Sequence, residues 1–314
     1  MVDYFYPILH IRPAEVIGDE QLGTKPKFWF ERDNIRWLFK EAREIPSHGT
    51  RGAAPTGEDW AEKVAAEIAH ALDIFAAKVE LAEFGGRLGC ASRSFTSPYQ
   101  QLMHGNEILA GYVAEYDCAQ RFHQSHHTLK NIIGVIRRMF PDPAESKTVL
   151  TRLARYLVLD ALIGNVDRHH ENWGLLWQVR VEVNDLLETA RVFKEYDVAP
   201  SFDHASSLGR ELLDEKRAKH LRNQSVQMYV NRGRGAIYRE GESHGANPLG
   251  LVISSAAEYP DYFKPALQTL VGIPLAKLTE PLDRVPDGRI TQLARDFGKA
   301  MLAVAYGSLT KVAK

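Results

Sequence analysis

The chain has 314 residues, 45% of them hydrophobic and 25% charged, an ordinary globular composition that excludes a disordered chain and allows one large core or two modest ones. Lys and Arg number 39 against 40 Asp and Glu, for a formal net charge of -1, so no global basic field exists to grip nucleic acid and direct nucleic-acid binding is not expected. Cys90 and Cys118 form neither a CxxC pair nor a disulfide framework. The N-terminus lacks a basic segment followed by an apolar run, and no apolar run nears the roughly 20 residues of a membrane helix. A reducing, cytoplasmic compartment with no membrane partner is the expectation.

In chain order, residues 20–40 read as β. Lys27, Phe28, Trp29 and Phe30 precede a turn at Asp33 and Asn34, and Ile35 to Lys40 alternates. Residues 47–58 are polar and contain Gly and Pro, as a loop does. Trp60, Val64, Ala65, Ile68 and Leu72 predict a helix from Glu58 to Leu72. Lys78 to Phe84 alternates as a strand does, and Arg87 to Phe95 gives another after Gly85 and Gly86. His127 to Arg138 is amphipathic. The strongest helix spans Ala144 to Ile163, stopped by Gly164 and Asn165. Trp173 to Val183 and Ala190 to Tyr196 are β-like, and the C-terminal hundred residues predict several helices, the last from Ile290 to Leu309. This order predicts an α+β protein, with a small strand-rich layer over residues 1–95 and a mostly helical part over residues 96–314.

The chemistry concentrates between the long helix and the β-like pair. Asn165, Asp167, His169 and Asn172 lie in a charged loop closed by Trp173, Gly174, Leu175 and Leu176, and Asp203 follows in Ala199 to Ser207. Phosphoryl transfer needs such groups: an Asp that accepts the acceptor hydroxyl's proton, an Asn on one Mg²⁺, and a later Asp on the metals that bridge the phosphates. Mg²⁺ prefers oxygen ligands, which suits Asn172 and Asp203 and not a histidine. His169 is expected to hold the loop by hydrogen bonds. Adjacent His169 and His170 without HExxH or cysteines do not predict zinc, and His170 reads as a loop-surface residue. Against this stands accident: an Asp and an Asn five residues apart are common, and it is the full set that is specific.

The run Asn165, Val166, Asp167, Arg168, His169 and Asn172, with Asp203 in Ala-Pro-Ser-Phe-Asp-His, closely resembles HipA-like serine/threonine kinases. Its core is also similar to the catalytic loop of phosphoinositide kinases. The resemblance extends upstream through Glu58 to Lys63 and His104 to Leu109 and covers most of residues 23–210. It implies a bilobal kinase-like fold, ATP and Mg²⁺ as cofactors, and transfer of the γ-phosphate to a protein serine or threonine in a bacterial, toxin-like growth-control role. By position, Asp167 would be catalytic, and Asn172 and Asp203 would hold metal. Lys40, at the end of its strand, would pair the phosphates, oriented by Glu62, with Glu67 as a rival one turn on. The ordinary alternatives are an exposed strand-end lysine and a solvated helix face.

Gly23, Thr24, Lys25 and Lys27 would form the phosphate loop through backbone N–H groups and lysine charge. With one glycine this loop matches neither the Walker pattern nor GxGxxG. Thr24 is the hydroxyl that self-phosphorylation in this loop would use, and a plain turn residue is its ordinary reading. Full-length HipA toxins carry a further N-terminal subdomain. Only about 22 residues precede Gly23 here, so the resemblance is to short, kinase-only members, some of which take the missing piece from a separate small regulatory protein. Residues 231–250, Gly-rich and polar, read first as a solvated loop and second as a seat for a peptide substrate or partner. The sequence leaves two rival functions open. One is a small-molecule or lipid kinase of the same fold, and the other is a non-catalytic module partnering a DNA-binding repressor.

Overall fold

The computed structural model describes residues 4–20, 26–45, 54–184 and 189–313. Gly23, Thr24 and Lys25 lie outside the described residues; Lys27 lies within them. Strands β1 (Ile8–His10), β2 (Val16–Asp19), β3 (Lys27–Arg32) and β4 (Ile35–Glu41) come first, then the short pair β5 (Glu44–Ile45) and β6 (Ala54–Pro55). Helix α1 (Glu58–Ala71), β7 (Val79–Phe84) and β8 (Arg87–Arg93) complete a six-stranded sheet of order β1-β7-β8-β4-β3-β2. Among the described residues of this sheet, only β1 and β7 pair in parallel. Asp33 and Asn34, at φ 54° and 59°, make the two-residue turn between β3 and β4. Both central residues are left-handed, the turn whose twist matches a hairpin, and short polar side chains tolerate it.

Alternation along these strands sorts their two faces. Phe28, Phe30, Trp37, Phe39, Ala82 and Ala91 cluster with Ile11 on one face. The other face carries Val79, Leu81 and Cys90, and buries Trp60, Ala61, Val64, Ala65 and Ile68 of α1 against it. Lys40 is opposite both Lys27 and Cys90 in register, so it projects from this inner face beside Lys27.

The remaining chain is mainly helical. Strand β9 (Gln101–His104) leads into α2 (Gly105–Ala110), and α3 (Leu129–Met139) and α4 (Pro143–Ile163) follow. Strands β10 (Gly174–Asn184) and β11 (Thr189–Val198) form a hairpin that β9 joins at its base. Then come α5 (Asp214–Arg222), α6 (Val226–Arg232), α7 (Pro248–Glu258), α8 (Pro260–Gly272), α9 (Leu275–Asp283) and α10 (Gln292–Val312). Helix α4 begins with Asp142 accepting from the Ala144 and Glu145 N–H groups, with Pro143 at its first position, both favourable starts. It ends at Gly164, left-handed at φ 67°, where a side chain would also meet Met301. Between these caps α4 is apolar on most sides and is buried centrally among α3, α7, α8 and α10. Among the described residues no helix is long and apolar enough to cross a membrane.

Candidate active site

The loop after α4 is built around one guanidinium. Asp160 is a lone carboxylate in the last turns of an apolar helix, 2% exposed, and needs a buried partner. Arg168 supplies it with Nε and Nη2 at 2.7 and 2.8 Å from the two carboxylate oxygens, and Asn165 Nδ2 donates to the same group at 2.8 Å. The guanidinium also donates to Asn172 O at 2.5 Å, Phe202 O at 3.2 Å and Ser201 Oγ at 3.0 Å. Arg168 therefore ties the helix end, the far end of the loop and the segment after residue 198 that delivers Asp203. Burial opposes its charge, and the Asp160 carboxylate more than offsets this, so its pKa is raised. A planar fork with five donors is what such a junction requires.

Neutral imidazoles pack behind the loop. His127 Nε2 accepts from Trp173 Nε1 at 3.0 Å, so its proton sits on Nδ1 and is donated to Ala236 O at 2.8 Å. Burial pushes its pKa down to about 3. His169 Nε2 is 2.9 Å from Arg121 Nη2. Arginine only donates, so this nitrogen accepts from it. The Glu171 N–H also points at Nδ1 from 3.2 Å, so the Arg121 guanidinium and this N–H compete to donate to one neutral ring. Burial first, and Arg121 second, lower the pKa of His169 to about 3. His170 corrects its surface assignment: it is 1% exposed and shares a 2.8 Å hydrogen bond with Tyr116 Oη. Trp173 and the Gly105 backbone enclose the loop's end, where a Cβ on Gly105 would lie 2.2 Å from the indole.

The opposite side of the loop is open and charged. Asp167 is 38% exposed along its side chain. Its carbonyl accepts from Asn172 Nδ2 at 2.8 Å and its N–H donates to Asn165 Oδ1 at 3.1 Å, so both amides hold the Asp167 backbone in place. Asp203 is left-handed at φ 59° and accepts from Lys40 Nζ at 2.9 Å, joining the inner face of the six-stranded sheet to the helical part. Burial would deprotonate Lys40, but Asp203, with Glu62 next, outweighs it and raises its pKa. Glu62 is close enough to act on that charge yet makes no ion pair with it. Its Oε1 is 3.7 Å from His204 Nδ1 and its Oε2 is buried without a hydrogen-bond partner. The expected Lys40–Glu62 pair is thus a Lys40–Asp203 pair with Glu62 behind it, since the β4 lysine reaches the Asp203 carboxylate first. Glu67 binds Lys63 at 2.7 Å and is not a partner of Lys40.

These groups fit the cofactor that the fold implies. Asn172 spends its amide nitrogen on Asp167 O, which leaves the oxygen as the side chain's other polar end; with the Asp203 carboxylate it offers the hard donors that Mg²⁺ takes. Among the described residues no group of three or more His, Cys, Asp or Glu could hold a metal by itself. A Mg²⁺ that shares phosphate oxygens needs only one or two protein groups. Lys40 and Lys27 stand side by side in register and put two ammonium groups on the inner face of the sheet.

Several parts of the site went unread in the sequence. Asp160 stood as one acid in an apolar run, and that mismatch was the available signal for a buried cation within reach. Ser201 and His204, bonded at 2.7 Å, carry the Arg168 junction on toward Glu62. Arg210 pairs with Glu58 at 3.0 Å, and Arg289 with Asp59 at 2.6 Å. Both tie α1 to residues far along the chain, which spacing cannot show.

The family model for the HipA-like C-terminal domain matches residues 22–244. No match to a curated protein sequence was found. The structure is similar to that of the Helicobacter pylori proinflammatory kinase CtkA, with a TM-score of 0.76 at 19% identity over 98% of this chain and 96% of that one. It is also similar to HipA of Shewanella oneidensis MR-1, solved as a toxin–antitoxin complex with HipB and operator DNA, with a TM-score of 0.51 at 13% identity over 94% of this chain and 66% of that one. The fold is therefore the mixed α+β, two-lobed kinase-like fold, and the chain belongs to the HipA-like C-terminal domain family.

Proposed function

We propose that this protein is an ATP- and Mg²⁺-dependent kinase that transfers the γ-phosphate to a serine or threonine hydroxyl of another protein. Family membership and the kinase neighbour support a kinase-type activity. The observation that carries the finer reading is the 2.9 Å contact between Lys40 of the six-stranded sheet and Asp203, whose neighbour Phe202 is held with Asn172 by the one Arg168 guanidinium. Lys40 and Lys27 would hold phosphate oxygens, with Gly23, Thr24 and Lys25 completing the phosphate loop. Asn172 and Asp203 would hold Mg²⁺, which when bound neutralises charge on the phosphates. Asp167 would orient the acceptor hydroxyl and take its proton as the new O–P bond forms and the bond to the ADP oxygen breaks. Glu62 holds the Lys40 charge in place, and Asn165 and His169 hold the loop.

The same reading divides the chain into a phosphate-binding lobe over residues 1–95 and a helical lobe over residues 96–314. It makes Thr24 the self-phosphorylation site and a small regulatory protein the partner, by analogy with the HipA–HipB complex. A cytoplasmic, bacterial growth-control role completes it. Thermal unfolding with ATP and Mg²⁺ tests the core of the proposal. Ligand at a hundredfold excess over its Kd stabilises the native state by about 2.7 kcal/mol, and Lys40→Met and Asp203→Asn should each abolish the shift. A wild-type protein that ATP and Mg²⁺ leave unshifted would be a non-catalytic module of the same fold.

A further inference from the structure

Two cavities flank the catalytic loop, and Val166 and Arg234 line both. One, of about 300 Å³, has Asp167 in its wall together with Arg121, His123 and His244. The other, of about 250 Å³, is lined by Ser206, Glu211, Tyr229 and Arg232. Ser206 Oγ lies 3.5 Å from Asp167 Oδ2, so the Asp167 carboxylate stands where the two cavities meet. The result is a trough with the proposed proton acceptor at its middle.

The charge of this trough is lopsided. Arg232 and Arg234 are exposed and, among the described residues, have no ion-pair partner. Arg121 is already engaged with Glu171 at 3.4 Å and with His169. The carboxylates in the two linings are Asp167 and Glu211, and Glu211 accepts from Tyr229 Oη. Two arginines are thus left facing the trough without a carboxylate of the chain's own.

The wall that carries Arg234 is preorganised rather than a loose loop. Gly235 N donates to Ala246 O at 2.8 Å, Ala246 N to Ile237 O at 2.7 Å, and Tyr238 N to His127 O at 2.9 Å. Asn247 Nδ2 donates to Gly233 O at 2.9 Å. A Cβ on Gly245 would stand 1.6 Å from Gly235 O, so this closure needs glycine there. Arg234 lies between two anchored glycines, and its backbone position does not have to be found on binding.

We infer that the trough seats an extended acidic segment of the protein substrate, with the acceptor hydroxyl at Asp167 and flanking Asp or Glu side chains on Arg234 and Arg232. The inference rests on the kinase reading above and names its substrate class. Two unpartnered arginines are far fewer than the roughly six to ten phosphate contacts of a salt-sensitive nucleic-acid binder, and a planar guanidinium pairs a carboxylate with two parallel hydrogen bonds.

The test is phosphate transfer from labelled ATP with Mg²⁺ to three serine peptides that differ only in acidic, neutral or basic flanks, using wild type, Arg234→Glu and Arg232→Glu. Wild type should phosphorylate the acidic peptide with kcat/KM roughly tenfold above the neutral one. Arg234→Glu should erase that preference and move it toward the basic peptide, because reversal adds repulsion to the lost attraction. Equal rates on all three peptides, a basic preference in wild type, or label only on a small anionic molecule would overturn the inference. Thermal shift with ATP and Mg²⁺ runs in parallel on wild type. A shift without acidic preference sinks the substrate class alone, whereas no shift sinks the kinase reading with it.

Discussion

The loop between α4 and β10 has two sides built by opposite rules. On the buried side, Asp160 and Arg168 are 3% and 5% exposed and bonded at 2.7 Å, and His127 and His169 are held neutral by burial. On the open side, Lys40 pairs with Asp203 at 2.9 Å with side chains 15% and 30% exposed, and the Asp167 side chain is 38% exposed. The buried side positions the loop, and under the proposed kinase reading the open side would carry charge toward phosphates and hydroxyls. Damage to the first should therefore appear as lost stability, and damage to the second as lost chemistry in a protein that still folds.

Arg168→Leu gives the largest expected break. It leaves Asp160 buried and unpaired and frees the ends of the loop, at a cost of about 3–5 kcal/mol in denaturant unfolding. Replacing both partners, Asp160→Leu with Arg168→Met, should recover much of that loss, because an apolar pair leaves no buried charge. A cost for Arg168→Leu within 1 kcal/mol would mean that this ion pair does not hold the loop.

Acid should strain the same side more gradually. His127 and His169 have pKa values pushed down to about 3 in the native protein, against about 6.5 unfolded. Between these values the unfolded chain binds more protons, so stability rises with pH and is lost as pH falls from about 6.5 toward 3. Each histidine contributes up to about 1.4 kcal/mol per pH unit in that window. The slope of unfolding free energy against pH should flatten by one histidine's share in His127→Gln. An unchanged slope would show that His127 is not the buried neutral group described.

Glu62→Gln sharpens the open side with a smaller effect. Removing the carboxylate behind Lys40 should lower kcat/KM for ATP by roughly threefold to tenfold, with the melting temperature little altered. A loss as deep as that of Lys40→Met would instead make Glu62 the lysine's principal partner.

Part of this division is legible in the sequence. Helical spacing located α1 and α4, an aromatic run before a turn located β3, alternation located β4 and β7, and Gly164 marked where the long helix stops. Asp167, Asn172 and Asp203 stand out in the sequence as candidates because their residue types and order match a chemistry. The buried side was harder to read because its contacts join distant segments: Arg168 to Ser201, His127 to Trp173, and Arg289 to Asp59. His170 was misplaced because a polar side chain in a charged loop looks solvated until Tyr116, 54 positions earlier, closes over it. The Lys40 partner went to Asp203 rather than Glu62 because two carboxylates compete for one ammonium, and their distances are set by packing between sheet and helices.

The central claim is that the open side transfers phosphate with Asp167 as the group that receives the hydroxyl proton. Its most direct test compares transfer of the labelled γ-phosphate from ATP to protein by wild type and Asp167→Asn, with the melting temperatures of both recorded. The account predicts a loss of roughly 10²–10⁴-fold in rate at an unchanged melting temperature. Equal transfer by the two proteins, at equal stability, would contradict it.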